Sequence, residues 1–435
     1  METISMSVGE RRRLEVFGRV ERGELCLAEA GELLGLSYRQ TKRVWRRFRE
    51  EGDAGLVHRS RGRASNRQAG SELKARVLEL YRERYRDYGP TLAAECLAEE
   101  EKLEVSASTL RRWLVLEGLW KGVRKRRVHR RRRERREHLG ELLQMDGSYH
   151  DWLEGRWMTG RVRDAYAGWA TLMVLVDDAT SRLYARFYEN ESWESATDVF
   201  QRYVSAYGLP RSLYVDQHSI YRADREPTNE EIFLEKEPET QFGRAMRELG
   251  VELILARSPQ AKGRVERMNG TLQDRLVKAM RRAEISDLET ANTFLEEEFL
   301  AKFNQRFEKR AAKRSNWHRE LDSRVDLARI LSVQETRVVQ NDWTIRWRNR
   351  ILQLPRESAE WVQPGDRVQV CEQLDGRLRV FAGSRELSWS ATRSSAPPRK
   401  SKASRSGPTG SSQGQKPSTE HPWRGRRKEA AAGGS

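Results

Sequence analysis

The chain has 435 residues, 37% apolar and 34% charged, enough for two to four domains with buried cores under an ionic surface. Lys and Arg outnumber Asp and Glu by 82 to 65, a formal charge of +17, which attracts polyanions but does not dictate fold. Cys26, Cys96 and Cys371, far apart and without a CxxC, exclude a disulfide framework or a Cys-rich zinc module. The longest nearly uncharged apolar run, Ala165 to Val176, is too short to span a bilayer, and the N-terminus is polar and soon basic. A protein of a reducing compartment with an anionic partner is expected, away from membranes.

The first predicted elements, within residues 1–65, are helical. The apolar set Leu25, Leu27, Ala30, Leu33 and Leu34 stops at Gly35, and Val44, Trp45 and Phe48 mark a second amphipathic stretch. Gly35 suits a tight turn and Ser37 a helix N-cap, so the pair reads as a helix-turn-helix. Its second helix, Tyr38 to Glu50, carries Arg39, Gln40, Lys42, Arg43, Arg46 and Arg47, groups able to reach phosphates and base edges. A solvated helical face has the same composition; the turn and the basic residues Arg59, Arg61, Arg63 and Arg67 beyond it favour DNA contact. Residues 66–120 form a second helical, helix-turn-helix-like unit: Leu73 to Arg86, Pro90 to Glu100, and Thr109 to Glu117 capped by Ser106-Ala107-Ser108. Packing, dimerisation and DNA reading all suit this unit.

From Lys121 to Arg136, eleven of sixteen residues are Lys or Arg. Like charges this dense cannot pack against one another, so 121–138 reads as an arm that neutralises backbone phosphates, with Arg126, Arg127 and Arg131 among its contacts. Over 139–310 strands and helices alternate. The predicted strands are Leu142–Tyr149, Ala170–Val176, Leu183–Tyr188, Leu213–Val215 and Val251–Leu255; the predicted helices are Ser192–Tyr207, Gln241–Leu249, Ala261–Arg282 and Asp287–Phe307. This is an α/β core, a mixed sheet flanked by helices. Residues 311–390 supply a linker and five short strands, with a hairpin turn at Asp375-Gly376, expected to close a small β-barrel. Residues 391–435, rich in Ser, Gly, Pro, Lys and Arg, are expected to be a disordered basic tail.

Three carboxylates stand out. Asp146 lies in the first core strand, Asp216 directly follows Leu213-Tyr214-Val215, and Glu266 opens a helix after Ser258-Pro259-Gln260-Ala261-Lys262-Gly263. Each alone has an ordinary explanation as a turn, cap or surface charge. Together they can meet outside the strand ends of an open sheet. Three such groups repel one another unless cations neutralise them, and hard oxygen ligands select Mg²⁺, with Mn²⁺ able to substitute. Two ions about 3.5–4 Å apart serve phosphodiester chemistry.

These strings carry a resemblance. Leu143-Gln144-Met145-Asp146-Gly147-Ser148, Val176-Asp177-Asp178-Ala179-Thr180-Ser181, Tyr214-Val215-Asp216 and Ser258 to Gly270 resemble, in order, the integrase catalytic core of bacterial insertion-sequence DDE transposases, relatives of retroviral integrases. Asp146 to Arg156 and Asp216-Gln217-His218-Ser219-Ile220-Tyr221 are most similar to the ISNCY type. The resemblance, over roughly 10–390, implies an RNase H-like fold with Asp146, Asp216 and Glu266 as catalytic acids and ligands of two Mg²⁺ ions. It implies a DNA transposase that binds terminal inverted repeats in double-stranded DNA, cleaves and joins strands, and uses no nucleotide cofactor. A homodimer or higher oligomer on DNA, in the bacterial cytoplasm with the nucleoid, follows by analogy.

The stretches 157–169 and 220–240 read as insertions. Lys262, Arg267, Asn269 and Arg275 are candidate DNA contacts beside the acids, His218 is a candidate phosphate contact, and Asp177 and Asp178 read as turn residues. The alternatives are an RNase H-like nuclease or resolvase that does not join strands, and a helix-turn-helix regulator with an inactive core.

Overall fold

The computed structural model describes residues 4–59, 61, 69–121, 134–157, 168–233, 235, 237–256 and 263–392. The chain divides into two compact units, Met1–Arg130 and Arg131–Ser435.

In the first unit, α1 (Val8–Glu21), α2 (Leu27–Leu34) and α3 (Tyr38–Glu51) form the helix-turn-helix. Gly35 ends α2 at φ 64°, a conformation glycine adopts without penalty. Ser37 caps α3, accepting from Gln40 N at 3.3 Å while Gln40 Oε1 accepts from Ser37 N at 3.3 Å. Gly31 is small for a reason: a Cβ there would lie 2.9 Å from Oγ1 of the buried Thr41. Phe17, Phe48 and Leu56 make the core, with Trp45 centred 5.6 Å from Phe17. A separate core around Tyr81, Tyr85, Tyr88, Leu97 and Trp113 holds α4 (Ser71–Arg84), α5 (Pro90–Glu99) and α6 (Ala107–Leu116). Ser106 alone caps α6, so the helix starts two residues before the predicted Thr109.

The second unit is built on a five-stranded sheet of order β3-β2-β1-β4-β5. Its strands are β1 (Leu142–His150), β2 (Ala170–Asp177), β3 (Leu183–Tyr188), β4 (Ser212–Val215) and β5 (Glu252–Leu255). β1 to β3 form an antiparallel meander, and β4 and β5 run parallel to β1. Parallel neighbours need crossovers, which α7 (Trp193–Tyr207) supplies before β4; α8 (Asn229–Phe233) and α9 (Gln241–Glu248) precede β5. Alternation along the strands separates two cores. Leu143, Met145, Met173 and Leu175 face α7 and α9. Leu172, Val174 and Val176 face α10 (Val265–Arg282), α11 (Leu288–Phe294) and α12 (Leu300–Phe307). A π-helical turn, Leu295–Phe299, joins the last two and keeps Leu295 and Phe303 in the same core. This is the mixed, helix-flanked, RNase H-like core expected from the sequence.

The predicted linker after 310 is tied down. Trp317 N donates to Leu139 O and Arg319 N to Leu209 O, both at 2.8 Å, and the Trp317 ring stacks on His138 at 4.2 Å. After α13 (Leu327–Ile330) come β6 (Val333–Val338), β7 (Thr344–Trp347), β8 (Arg350–Gln353), β9 (Arg367–Glu372), β10 (Leu378–Ala382), β11 (Arg385–Leu387) and β12 (Ser390–Thr392). They do not close into a barrel. They make a four-stranded sheet, β11-β10-β9-β6, and a three-stranded one, β12-β8-β7, over a shared core of Ile345, Trp347, Leu352, Val368 and Val380. The turn before β7, with Trp343 at φ 63° and Gln340 N bonded to Thr344 O, takes the chain out of the first sheet. Ala391 and Thr392, predicted as tail, pair with β8; residues 393–435 lie outside the described residues. Among the described residues no helix is long and apolar enough to cross a membrane.

Candidate active site

The site is organised by a polar stripe on β1. With Leu143 and Met145 in one core, Gln144, Asp146 and Ser148 point to the other face, where α10 lies. Every second strand residue meets every fourth helix residue. Gln144 Oε1 accepts from Val265 N at 3.3 Å, Asp146 Oδ2 accepts from Asn269 Nδ2 at 2.9 Å, and Gln273 Nε2 donates to Ser148 Oγ at 3.3 Å. Four helical residues rise about 6 Å and two strand residues about 6.6 Å, so three rungs fit in register. Polar groups in such a contact are costly unless paired; here Gln144, Asp146 and Ser148 each find a partner on α10.

Asp216 is placed by register. β1 pairs Gln144 with Tyr214 in parallel, so Asp216, one residue past the end of β4, follows the strand that neighbours β1, where Asp146 sits in mid-strand paired with Val174. Asp216 Oδ1 accepts from His218 N at 3.0 Å, fixing the turn after β4. Glu266 is exposed on the first turn of α10, one turn before Asn269. The three acids are not drawn into one ligand cluster: among the described residues no three His, Cys, Asp or Glu groups are placed to hold a metal ion.

Two further groups surround the site, and sequence reasoning passed over both. Glu191, just before α7, sets its carboxylate against Gly147, where any Cβ would collide with it. The Tyr221 hydroxyl is buried and has no hydrogen-bond partner among the described residues. Burial first, then the negative charges of Glu191, Asp216 and Asp146, push its pKa well above the ordinary tyrosine value. Asn269, expected to face DNA, is buried on Asp146, and its Oδ1 has no hydrogen-bond partner among the described residues. Arg275 stacks over Phe307 at 4.8 Å. The signal for the Asn269 role was present: polar residues two apart on β1 and four apart on α10.

Comparison with known proteins bears on the whole chain. A family described as "Helix-turn-helix domain" matches residues 12–64, and one described as "Homeodomain-like domain" matches 40–114. Over 382 residues the chain is 37% identical to "Putative transposase y4bF" of Sinorhizobium fredii, covering 87% of this chain and 80% of that protein. The chain belongs to the transposase family. It is also 28% identical over 392 residues to "Transposase for insertion sequence IS1202" of Streptococcus pneumoniae, covering 82% of this chain and 80% of that one. Among solved structures it is similar to the catalytic core domain of BIV integrase, at 19% identity and TM-score 0.25, covering 38% of this chain and 85% of that one. The HTLV-2 integrase catalytic core domain matches at 16% identity and TM-score 0.25, covering 36% and 82% respectively.

The chain is thus a DNA transposase, a polynucleotidyl transferase with DNA-binding helix-turn-helix domains. On α3 of the transposase, Arg39, Gln40, Lys42, Arg43 and Arg46 are exposed, although Gln40 also closes the capping box. Arg47 is half-buried, its Nε shielded and without a hydrogen-bond partner among the described residues. Arg267 is exposed and its Nε donates to Gly263 O at 2.6 Å. Arg126, Arg127, Arg131 and Lys262 lie outside the described residues.

Proposed function

We propose that the transposase binds the terminal inverted repeats of its element through the N-terminal helices and the basic arm, and cuts and joins DNA at Asp146, Asp216 and Glu266. The observation that carries this reading is the pair of aspartates on adjoining parallel strands, with the Glu266 helix keyed to the strand of Asp146. The donor set is oxygen only, which fits Mg²⁺ or Mn²⁺. Two such ions held by these carboxylates would activate the attacking oxygen and stabilise the leaving one.

The chain's own part is placement. β1 and β4 hold two carboxylates side by side, Asn269 fixes the rotamer of Asp146, and α10 delivers Glu266. Water serves as the first nucleophile and the freed 3′-hydroxyl as the second, with no covalent protein–DNA intermediate. Lys262, Arg267 and the arm hold phosphates near the reacting strand. Because two ends must be processed together, a homodimer or larger assembly acts on DNA, in the cytoplasm with the nucleoid.

Asp216→Asn tests the reading. End binding should be retained and both cleavage and strand transfer lost; normal cutting by this variant would refute the assignment. Transfer of a pre-cut end separates a transposase from a nuclease that only hydrolyses.

A further inference from the structure

Asp177 and Asp178 follow one another at the β2–β3 turn, yet they do different things. Asp177 does local work: its carboxylate accepts from Thr180 N (2.7 Å), Thr180 Oγ1 (2.8 Å) and Gly140 N (2.9 Å). Such bonds account for a turn residue completely. Asp178 is fully buried and reaches three different parts of the fold. Its Oδ1 accepts from Arg264 Nη1 and from Gln144 Nε2, both at 2.7 Å, and its Oδ2 accepts from Arg136 N at 2.8 Å. Arg264 is the residue immediately before α10, with its side chain 12% exposed. Gln144, through its other amide atom, accepts from Val265 N and so forms the first rung of the strand–helix ladder. Arg136 ends the basic segment, and its neighbour Arg135 donates to Ala179 O and Ser181 Oγ, both at 2.9 Å, on the same turn.

A carboxylate taken wholly out of water is tolerated only when its lone pairs are met by donors of fixed geometry. A turn alone would leave it in solvent. Here one oxygen holds the start of the Glu266 helix and the other holds the last residue of the basic segment. These segments lie far apart in sequence, and the carboxylate is a contact common to both.

We propose that Asp178 is a positioning residue that couples the docking of the basic arm to the placement of Glu266. This inference rests on the assignment of Glu266 as a functional acid. It makes the end of the basic segment more than an electrostatic tether: Arg136 and the start of the Glu266 helix share one anchor in Asp178, and disturbing either end loosens the other.

The test uses the full-length chain with Asp178→Asn, Arg264→Gln and the double variant. Three readouts apply: hydrogen exchange of the 134–137 and 263–268 segments in metal-free protein, Mn²⁺ affinity without DNA by electron paramagnetic resonance, and transfer of a pre-cut end at saturating DNA. Arg264→Gln should speed exchange at 134–137 about fivefold or more, although it acts there only through Asp178. Each single variant should weaken Mn²⁺ binding and slow transfer about tenfold, with the double variant no worse than the poorer single one. Unchanged exchange at 134–137, parental Mn²⁺ affinity, or losses that multiply in the double variant would each overturn the coupling. If Asp178→Asn does not fold, Arg264→Gln carries the exchange and Mn²⁺ arms by itself. Failure of the catalytic reading would instead appear as strand transfer by Asp216→Asn.

Discussion

Asn269→Ala separates the placement of Asp146 from the stability of the fold. In the folded chain Asn269 Nδ2 donates to Asp146 Oδ2 at 2.9 Å, a charge-assisted bond of about 1.5–3 kcal/mol. Its Oδ1 is buried with no hydrogen-bond partner among the described residues, a burden of about 1–3 kcal/mol that truncation removes. Alanine also improves helix propensity by about half a kcal/mol. These terms nearly cancel, so the melting temperature should move by no more than a few degrees. The catalytic consequence does not cancel, because the carboxylate loses the amide that fixes its Oδ2. A loss of about 1.5–3 kcal/mol corresponds to a rate lower by about 10- to 100-fold. The assay is strand transfer of a pre-cut end under single-turnover conditions, alongside calorimetry of the same preparation. Parental transfer, or a collapse of thermal stability that matches the loss of rate, would refute the reasoning.

Other consequences are as direct. Gly55→Ala places a Cβ against the carbonyl of Arg47, which is backbone and cannot give way; the first helical unit should lose about 1–3 kcal/mol, read as a lower unfolding temperature and weaker end binding. Glu10 accepts from Ser7 N and His58 N, which hold its pKa down at about 2 against an ordinary 4.5. Its stabilisation is therefore complete above pH 4.5 and lost as the pH falls towards 2, and Glu10→Gln should flatten acid unfolding in that window. His318 has its pKa lowered to about 4 by burial and by Arg182. The folded chain keeps it neutral while the unfolded chain protonates below 6.5, so stability should decline between pH 6.5 and 4, and a His318→Phe titration of melting temperature should lose that slope.

Most of the elements were legible in the sequence because each has a local signature. The β2 run from Ala170 to Val176 is apolar but for Thr171, β3 alternates, and Ser37, Gly35 and Pro90 mark helix ends by their own chemistry. Barrel closure was not legible, since whether seven short strands share one sheet depends on the turn at Gln340 to Trp343 rather than on the pattern of any strand. The two aspartates could be named from their places on predicted strands, Asp146 within the first and Asp216 directly after Leu213-Tyr214-Val215. Glu191 could not: it lies outside any periodic element, and only the fold brings it beside Gly147. Asp178 carries no sequence mark that distinguishes it from Asp177, and both are buried; its three partners on different segments, Gln144, Arg264 and Arg136, do so.

The ladder between β1 and α10 is slightly out of pitch. Strand and helix advance by unequal steps, differing by about 0.6 Å per rung, and the discrepancy has to be absorbed at the outer rungs. The middle rung is the shortest at 2.9 Å, against 3.3 Å on either side. That rung is Asp146, whose charge tightens it further. A vernier reads best where its two scales coincide, and this one coincides on the aspartate, so drift at either end of the helix is least felt there.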